Sequence, residues 1–161
     1  MDKERVELLK EIWREQLRAR DIINENEALP HRYGDMFLFQ AEIQLMGIIA
    51  VYPDITITDI ANILKKTPSA CSQIVHRLCE KELVKQVRDE NNKRRYHLHL
   101  TEKGKQIYQD HAAFAEECQE RTIHKLCPIS REDLQMALEL LRKLNECYEE
   151  DVRRSREHFV S

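Results

Sequence analysis

Ser69, Ser72, Gln73 and His76 recur at intervals of three and four, with Arg77 beside the last of them. On a helix that spacing places them along one face. Each carries a group that can hydrogen-bond a base edge or a phosphate, which is the chemistry of reading a DNA major groove. A merely solvated helix face would look similar, so a second feature has to decide. Further on, Lys93, Arg94 and Arg95 follow the turn-forming run Asp89-Glu90-Asn91-Asn92. Three successive cations at a hairpin tip suit a phosphate backbone or a narrow minor groove. The same charges would also keep an edge hairpin soluble. The polar helix face and the basic tip, at this separation, together describe a helix-turn-helix followed by a wing.

The elements that must position these residues can be read from period and punctuation. Thr58 is expected to cap a first helix, with Asp59 in its first turn and Ile60, Ala61 and Leu64 as its apolar stripe. Lys65 and Lys66 close it. Thr67-Pro68 opens the second helix with a capping hydroxyl and a proline where its missing N–H costs nothing. Cys71, Ile74, Val75 and Leu78 should face the core of that lobe. Leu83 to Arg88 and Tyr96 to Leu100 read as the two strands of the wing, and His97 and His99 share a strand face directed to solvent or DNA.

Long helical segments flank this centre. Residues 3 to 24 carry Val6, Leu9, Ile12, Trp13 and Leu17 at helical spacing, and Asn24 to Asp35 reads as a loop. Gln40 to Val51 is an apolar helix ended by Pro53-Asp54. After the wing, Thr101 caps a helix to about Leu126, Cys127-Pro128 interrupts, and Ser130 with Asp133 opens a last helix. That helix carries Leu134, Leu138, Leu141, Tyr148 and Val152 on one stripe, with Leu140 and Leu144 beside it. The fold class is therefore mainly α with a small β-hairpin wing. The expected organisation is one domain over 1–161, with a winged helix-turn-helix at 37–101 and dimerisation helices at 1–36 and 102–161. The flanking apolar faces exceed what so small a core can cover, so a two-fold homodimer is expected to bury them.

The 161 residues carry 26 Lys and Arg against 29 Asp and Glu, a net charge of −3. Their placement matters more than the total. Residues 65–105 hold eleven cations and five anions, a net of +6, and the rest of the chain nets −9. Positive charge is gathered where the wing and its helix lie, as expected of a DNA-binding face. Five cysteines without a C-x-x-C give no disulfide framework or structural zinc motif. The charged N-terminus lacks a signal-peptide core and no apolar run is long enough to cross a bilayer, so a cytoplasmic protein with no membrane partner is expected. No Gly-rich phosphate loop, nucleophile elbow or zinc-protease motif occurs. Accordingly no catalytic residue, resident metal or cofactor is assigned. A winged helix that binds a protein instead of DNA is the alternative that the negative total favours.

AEIQLMGIIA with ITITDIANIL, TPSACSQIVHRLCEKELV and DENNKRRYHLHLTEKG resemble, in order, the second helix, the recognition helix and the wing of the multiple-antibiotic-resistance regulator (MarR) family. The resemblance spans nearly the whole chain, and the wing with LTEKG is its most specific part. Asn92 stands where the family often has an aspartate that orients a wing arginine, and Leu83 is taken to stand where a glycine usually follows Glu-Lys. The resemblance implies a dimeric transcription factor, usually a repressor, on a pseudo-palindromic double-stranded operator. It implies that Ser69, Ser72, Gln73, His76 and Arg77 meet the major groove, and that Lys93, Arg94 and Arg95 meet the backbone or minor groove.

The resemblance also implies a signal that weakens DNA binding. A small lipophilic or phenolic effector would sit between the dimer helices and the DNA-binding lobe, where Trp13, Arg20, His31, Tyr33 and Phe37 could line its pocket. The same residues could equally be ordinary core and loop positions. A metal-responsive member would need His31, Glu25, Glu27 and His111 to converge. A redox-responsive one would need a reactive thiol near the first helix, whereas the first cysteine is Cys71, in the apolar phase of the recognition helix; Cys118 is the remaining candidate.

Overall fold

The computed structural model describes residues 2–90, 92–93 and 95–160. The chain divides into two compact units, Met1–Ala112 and Ala113–Ser161. The first unit holds α1 (Lys3–Ala28), β1 (His31–Tyr33), β2 (Met36–Leu38), α2 (Gln40–Val51), α3 (Ile57–Leu64), α4 (Pro68–Glu80), β3 (Val84–Arg88) and β4 (Tyr96–Leu100). The boundary falls within α5 (Glu102–Leu126), and α6 (Arg131–Phe159) lies in the second unit. This is the expected mainly helical winged helix-turn-helix with its two-stranded wing.

Its core is built from α2, α3, α4 and the wing. Ile43, Leu45, Met46, Ile60, Cys71, Val75, Leu78, Leu83 and Leu98 are all buried there. β3 and β4 pair antiparallel with Val84 opposite Leu100 and Arg88 opposite Tyr96. The Leu98 N–H donates to the Ile55 carbonyl at 2.9 Å, so the segment before α3 lines the wing's inner edge. None of the residues of α1 or α6 is buried, and Leu9, Trp13 and Leu17 on α1 and Leu134, Leu138 and Leu141 on α6 stand exposed.

The structure corrects the sequence reading in five places. First, α1 continues past Asn24 to Ala28, because Glu25, Glu27 and Ala28 sustain a helix that only Pro30 stops; Leu29, before the proline, is extended with ψ 133°. Second, 31–38 is an antiparallel hairpin instead of loop, turning at Gly34 with φ 63°. Third, α3 begins at Ile57 under Thr56, not after Thr58. The Thr56 hydroxyl accepts from the Asp59 N–H at 3.3 Å while the Asp59 carboxylate accepts from the Thr56 N–H at 3.0 Å, a reciprocal cap that Thr58 cannot form with its neighbour.

Fourth, the residue after Glu80-Lys81 is Glu82, and it is Glu82, not Leu83, that adopts the left-handed conformation a glycine would favour, with φ 60°. Leu83 is a buried core residue. Fifth, His97 does not simply face solvent: Nδ1 contacts the Asp54 carbonyl, and Nε2 lies 3.1 Å from Asp89 Oδ2. The ring links the α2–α3 turn to Asp89, where the wing turn begins. Among the described residues, no helix is long and apolar enough to cross a membrane.

Candidate nucleic-acid interface

Helix α4 presents the proposed reading face because its apolar residues are committed inward. Cys71, Ile74, Val75 and Leu78 are buried, which turns Ser69, Ser72, Gln73, His76 and Arg77 outward, and all five are exposed. Thr67 caps the helix by accepting from the Ala70 N–H at 3.2 Å, and Pro68 sits in the first turn. Among the described residues, α4 is the one helix with no acidic side chain in its first turn. Its positive dipole end is therefore uncompensated and open to an anion. Two of the outward residues have partners: His76 Nε2 is 3.5 Å from Glu80 Oε1, and Arg77 Nε is 3.7 Å from Glu42 Oε1.

The wing turn is held by its own backbone and by the Arg88 and Asp89 side chains, the Asp89 carboxylate accepting the Asn92 N–H at 3.1 Å. Asp89 N–H donates to the Arg95 carbonyl at 3.0 Å, Arg95 N–H to the Asn92 carbonyl at 2.8 Å, and Arg88 Nε to the Lys93 carbonyl at 2.8 Å. Lys93 stands exposed at the tip. Arg95 is half exposed, and its guanidinium is 3.7 Å from Asp59 Oδ2 on α3. Arg94 lies outside the described residues. Hydrogen bonds from Thr56 hold the Asp59 carboxyl below its ordinary range, with Arg95 and His97 adding smaller pulls in the same direction.

The residues proposed for an effector are spread along the first unit. Trp13 and Arg20 are exposed on α1, where Arg20 pairs with Asp21 at 3.1 Å. Phe37 is exposed on β2. Tyr33 and His31 instead meet His111 of α5: Tyr33 Oη lies 2.7 Å from His111 Nδ1, and the His31 and His111 ring centroids are 5.7 Å apart. Burial raises the Tyr33 hydroxyl above its ordinary value, helped by Asp110. Burial lowers His111, helped by His31. Glu25 and Glu27 belong to the last turns of α1, and among the described residues no group of three or more His, Cys, Asp or Glu is arranged to hold a metal. A separate groove of about 850 Å³ lies between the end of α2, the outer face of the wing and the start of α5; Lys85, Val87, His99, Lys105 and Tyr108 line it, and none of the five proposed effector residues does.

Sequence reasoning did not single out Glu42, which is buried within a hydrogen-bonded cluster behind α4. An acid at the third position of an apolar helix reads as a cap, and nothing local announces a partner 39 residues away.

Residues 39–95 match the MarR_2 model of the MarR family. The winged-helix lobe is thus similar to that of the MarR family. The chain is also similar to solved MarR-type structures. FabT of Streptococcus pneumoniae, determined in complex with DNA, is 25% identical, with 92% of this chain and 99% of that one covered at a TM-score of 0.61. ZitR of Lactococcus lactis, a zinc-responsive MarR family member, is 24% identical over 87% of this chain and 99% of its own, with a TM-score of 0.71. The adhesin competence repressor AdcR of Streptococcus pyogenes shares the fold at 18% identity, covering 86% and 97% of the two chains at a TM-score of 0.64. No curated relative matches the chain. The MarR-type lobe thus accounts for α2 to the wing, the segment that carries the outward polar face of α4.

Proposed function

We propose that this protein is a dimeric, sequence-specific DNA-binding transcriptional regulator, a repressor released by a small ligand. The observation that carries the reading is the outward Ser69, Ser72 and Gln73 on an α4 whose first turn has no acid, set in a MarR-like lobe with a basic wing. Those three, with His76 and Arg77, are assigned to the major groove; Lys93, Arg94 and Arg95 are assigned to phosphates or the minor groove. The exposed apolar stripes of α1 and α6 are assigned to the dimer, placing two copies of α4 on half-sites about one helical turn apart. The protein acts in the cytoplasm and catalyses no reaction in this reading.

Duplexes from the region upstream of its own gene, titrated at several salt concentrations, test it. A sequence-dependent complex that weakens steeply with salt is expected. Binding equal on all duplexes, or none, would favour a protein-binding winged helix instead.

For the signal, Tyr33 is the best-placed effector residue, because it is half-buried and its hydroxyl meets the His111 imidazole, which in turn neighbours His31. A lipophilic acid or phenol exchanging for the Tyr33–His111 contact would bias the angle of α5 and so the spacing of the reading helices. The paired imidazoles also keep a zinc response in view, as in the zinc-responsive ZitR. Titrating the DNA complex with zinc and, separately, with aromatic acids distinguishes the two.

A further inference from the structure

Glu42 is 1% exposed, yet it is a carboxylate. Its Oε2 accepts the Phe39 N–H at 2.9 Å, which caps α2. Its Oε1 accepts Lys81 Nζ at 2.7 Å, with Arg77 Nε at 3.7 Å. Lys81 is the residue that ends α4, and the same ammonium donates to the Phe37 carbonyl of β2 at 2.9 Å. One buried acid therefore joins the start of α2 to the end of α4, and Lys81 extends that junction to the β1–β2 hairpin.

A buried ion pair is a poor device for stability, since desolvation offsets most of its attraction; its better-attested use is to select one geometry. The rest of the α4 contact is apolar, made by Cys71, Ile74, Val75 and Leu78. Apolar contacts are non-directional and tolerate a small roll or tilt of the helix. We propose that Glu42 is a positioning residue that fixes the angle at which α4 is presented to DNA, and thereby the half-site spacing the dimer accepts. This rests on the DNA-binding reading. Thirteen residues of helix span roughly 18 Å, so a tilt of about 5° moves one end by about 1.5 Å, nearly half of the base-pair rise.

The test starts by selecting duplexes from a random library with the wild-type protein, then varying the half-site spacing of the selected sequence by one base pair either way. Glu42→Gln keeps one acceptor for the Phe39 cap but removes the charge that holds Lys81. Because removing one partner of a buried pair can unfold a protein, Glu42→Gln/Lys81→Met is made alongside, leaving neither charge stranded. Folded variants are expected to bind the best site on the order of tenfold more weakly, with a flattened spacing profile and an unchanged base preference. A role confined to stability would lower the melting temperature and leave the spacing profile as sharp as the wild type's. That result in either folded variant would overturn the proposal while leaving the DNA-binding reading intact. A wild type that enriches no sequence would overturn both.

Discussion

Gly104 lies so close to the backbone of Leu83 that a Cβ placed on it would sit 2.1 Å from the Leu83 carbonyl oxygen. That carbonyl also accepts the Thr101 N–H at 3.0 Å, and the Thr101 hydroxyl donates to the Glu82 carbonyl at 2.7 Å while accepting the Gly104 N–H at 3.0 Å. The first turn of α5 is thus locked onto the turn that leaves α4. The obstacle to a side chain is backbone, which cannot swing away, so Gly104→Ala is expected to destabilise the protein by about 2–3 kcal/mol, at the upper end for overpacking. Urea melts of the two proteins measure this, and a difference within about 0.5 kcal/mol would contradict the packing described.

Glu82 makes the opposite prediction. It holds φ 60° without being glycine, a conformation that costs an L-residue about 1 kcal/mol. Its side chain is half-buried at most and enters none of the DNA-facing positions. Glu82→Gly should raise stability by up to about 1 kcal/mol and leave DNA affinity within twofold, less whatever the added chain entropy of glycine removes. A destabilised variant would mean that the Glu82 side chain carries a contact worth more than the strain.

Much of this was readable in advance, for identifiable reasons. Gln40–Val51, Tyr96–Leu100 and Glu102–Leu126 emerged with the bounds expected, because apolar period and local punctuation agree at both ends. Thr56 and Thr58 are equally good capping residues in isolation; the acid three positions after Thr56 was the signal that distinguishes them, and the structure shows it used. The β1–β2 hairpin escaped because three-residue strands have too few positions to show alternation. The contacts of Glu42, Arg95 and His97 escaped for another reason. Each is defined by a partner far along the chain or on another element, respectively Lys81, Asp59 and Asp54, and no local pattern encodes such distances.

The cap on α3 should titrate. Asp59 is held below the ordinary carboxylate range chiefly by Thr56, so its ionised form favours the folded state. That contribution is complete above the unfolded carboxylate value and is lost as pH falls through the lower folded one. Asp59 is partly exposed, so the effect is modest. Asp59→Asn should cost roughly 1 kcal/mol near neutrality, as lost caps do, and should flatten the acid limb of the stability curve. An acid limb of unchanged slope in the variant would place the titration elsewhere.

His111 titrates nearer neutrality with the same sign. Burial and the neighbouring His31 lower its proton affinity, so the unfolded chain binds the extra proton more readily. Stability should rise with pH across the window between the lowered folded value and the ordinary imidazole value of about 6.5. Groups that bear on it are His31 and Tyr33 of the hairpin and, through Tyr33, Asp110. Melting temperatures measured from pH 5 to 7.5 should show that rise in the wild type and less of it in His111→Gln; equal slopes would mean that the Tyr33–His111 contact does not discriminate protonation states.

The reading helix and the basic wing should fail in distinguishable ways. Gln73 is exposed on α4, with the buried stripe of that helix on the other side, so Gln73→Ala should cost about 1–3 kcal/mol on the preferred base pair and little on others. Lys93 is exposed at the wing tip, where a phosphate contact would be indifferent to sequence. Lys93→Ala should weaken all duplexes alike and reduce the slope of log affinity against log salt by about 1. Arg95 differs again, since its charge is shared with Asp59. Neutralising Arg95 should remove less than a full unit of salt slope, while Asp59→Asn, by freeing the guanidinium, should raise the salt dependence of the wild-type wing. A full unit lost at Arg95 with no change at Asp59 would mean that the pair opens completely on DNA.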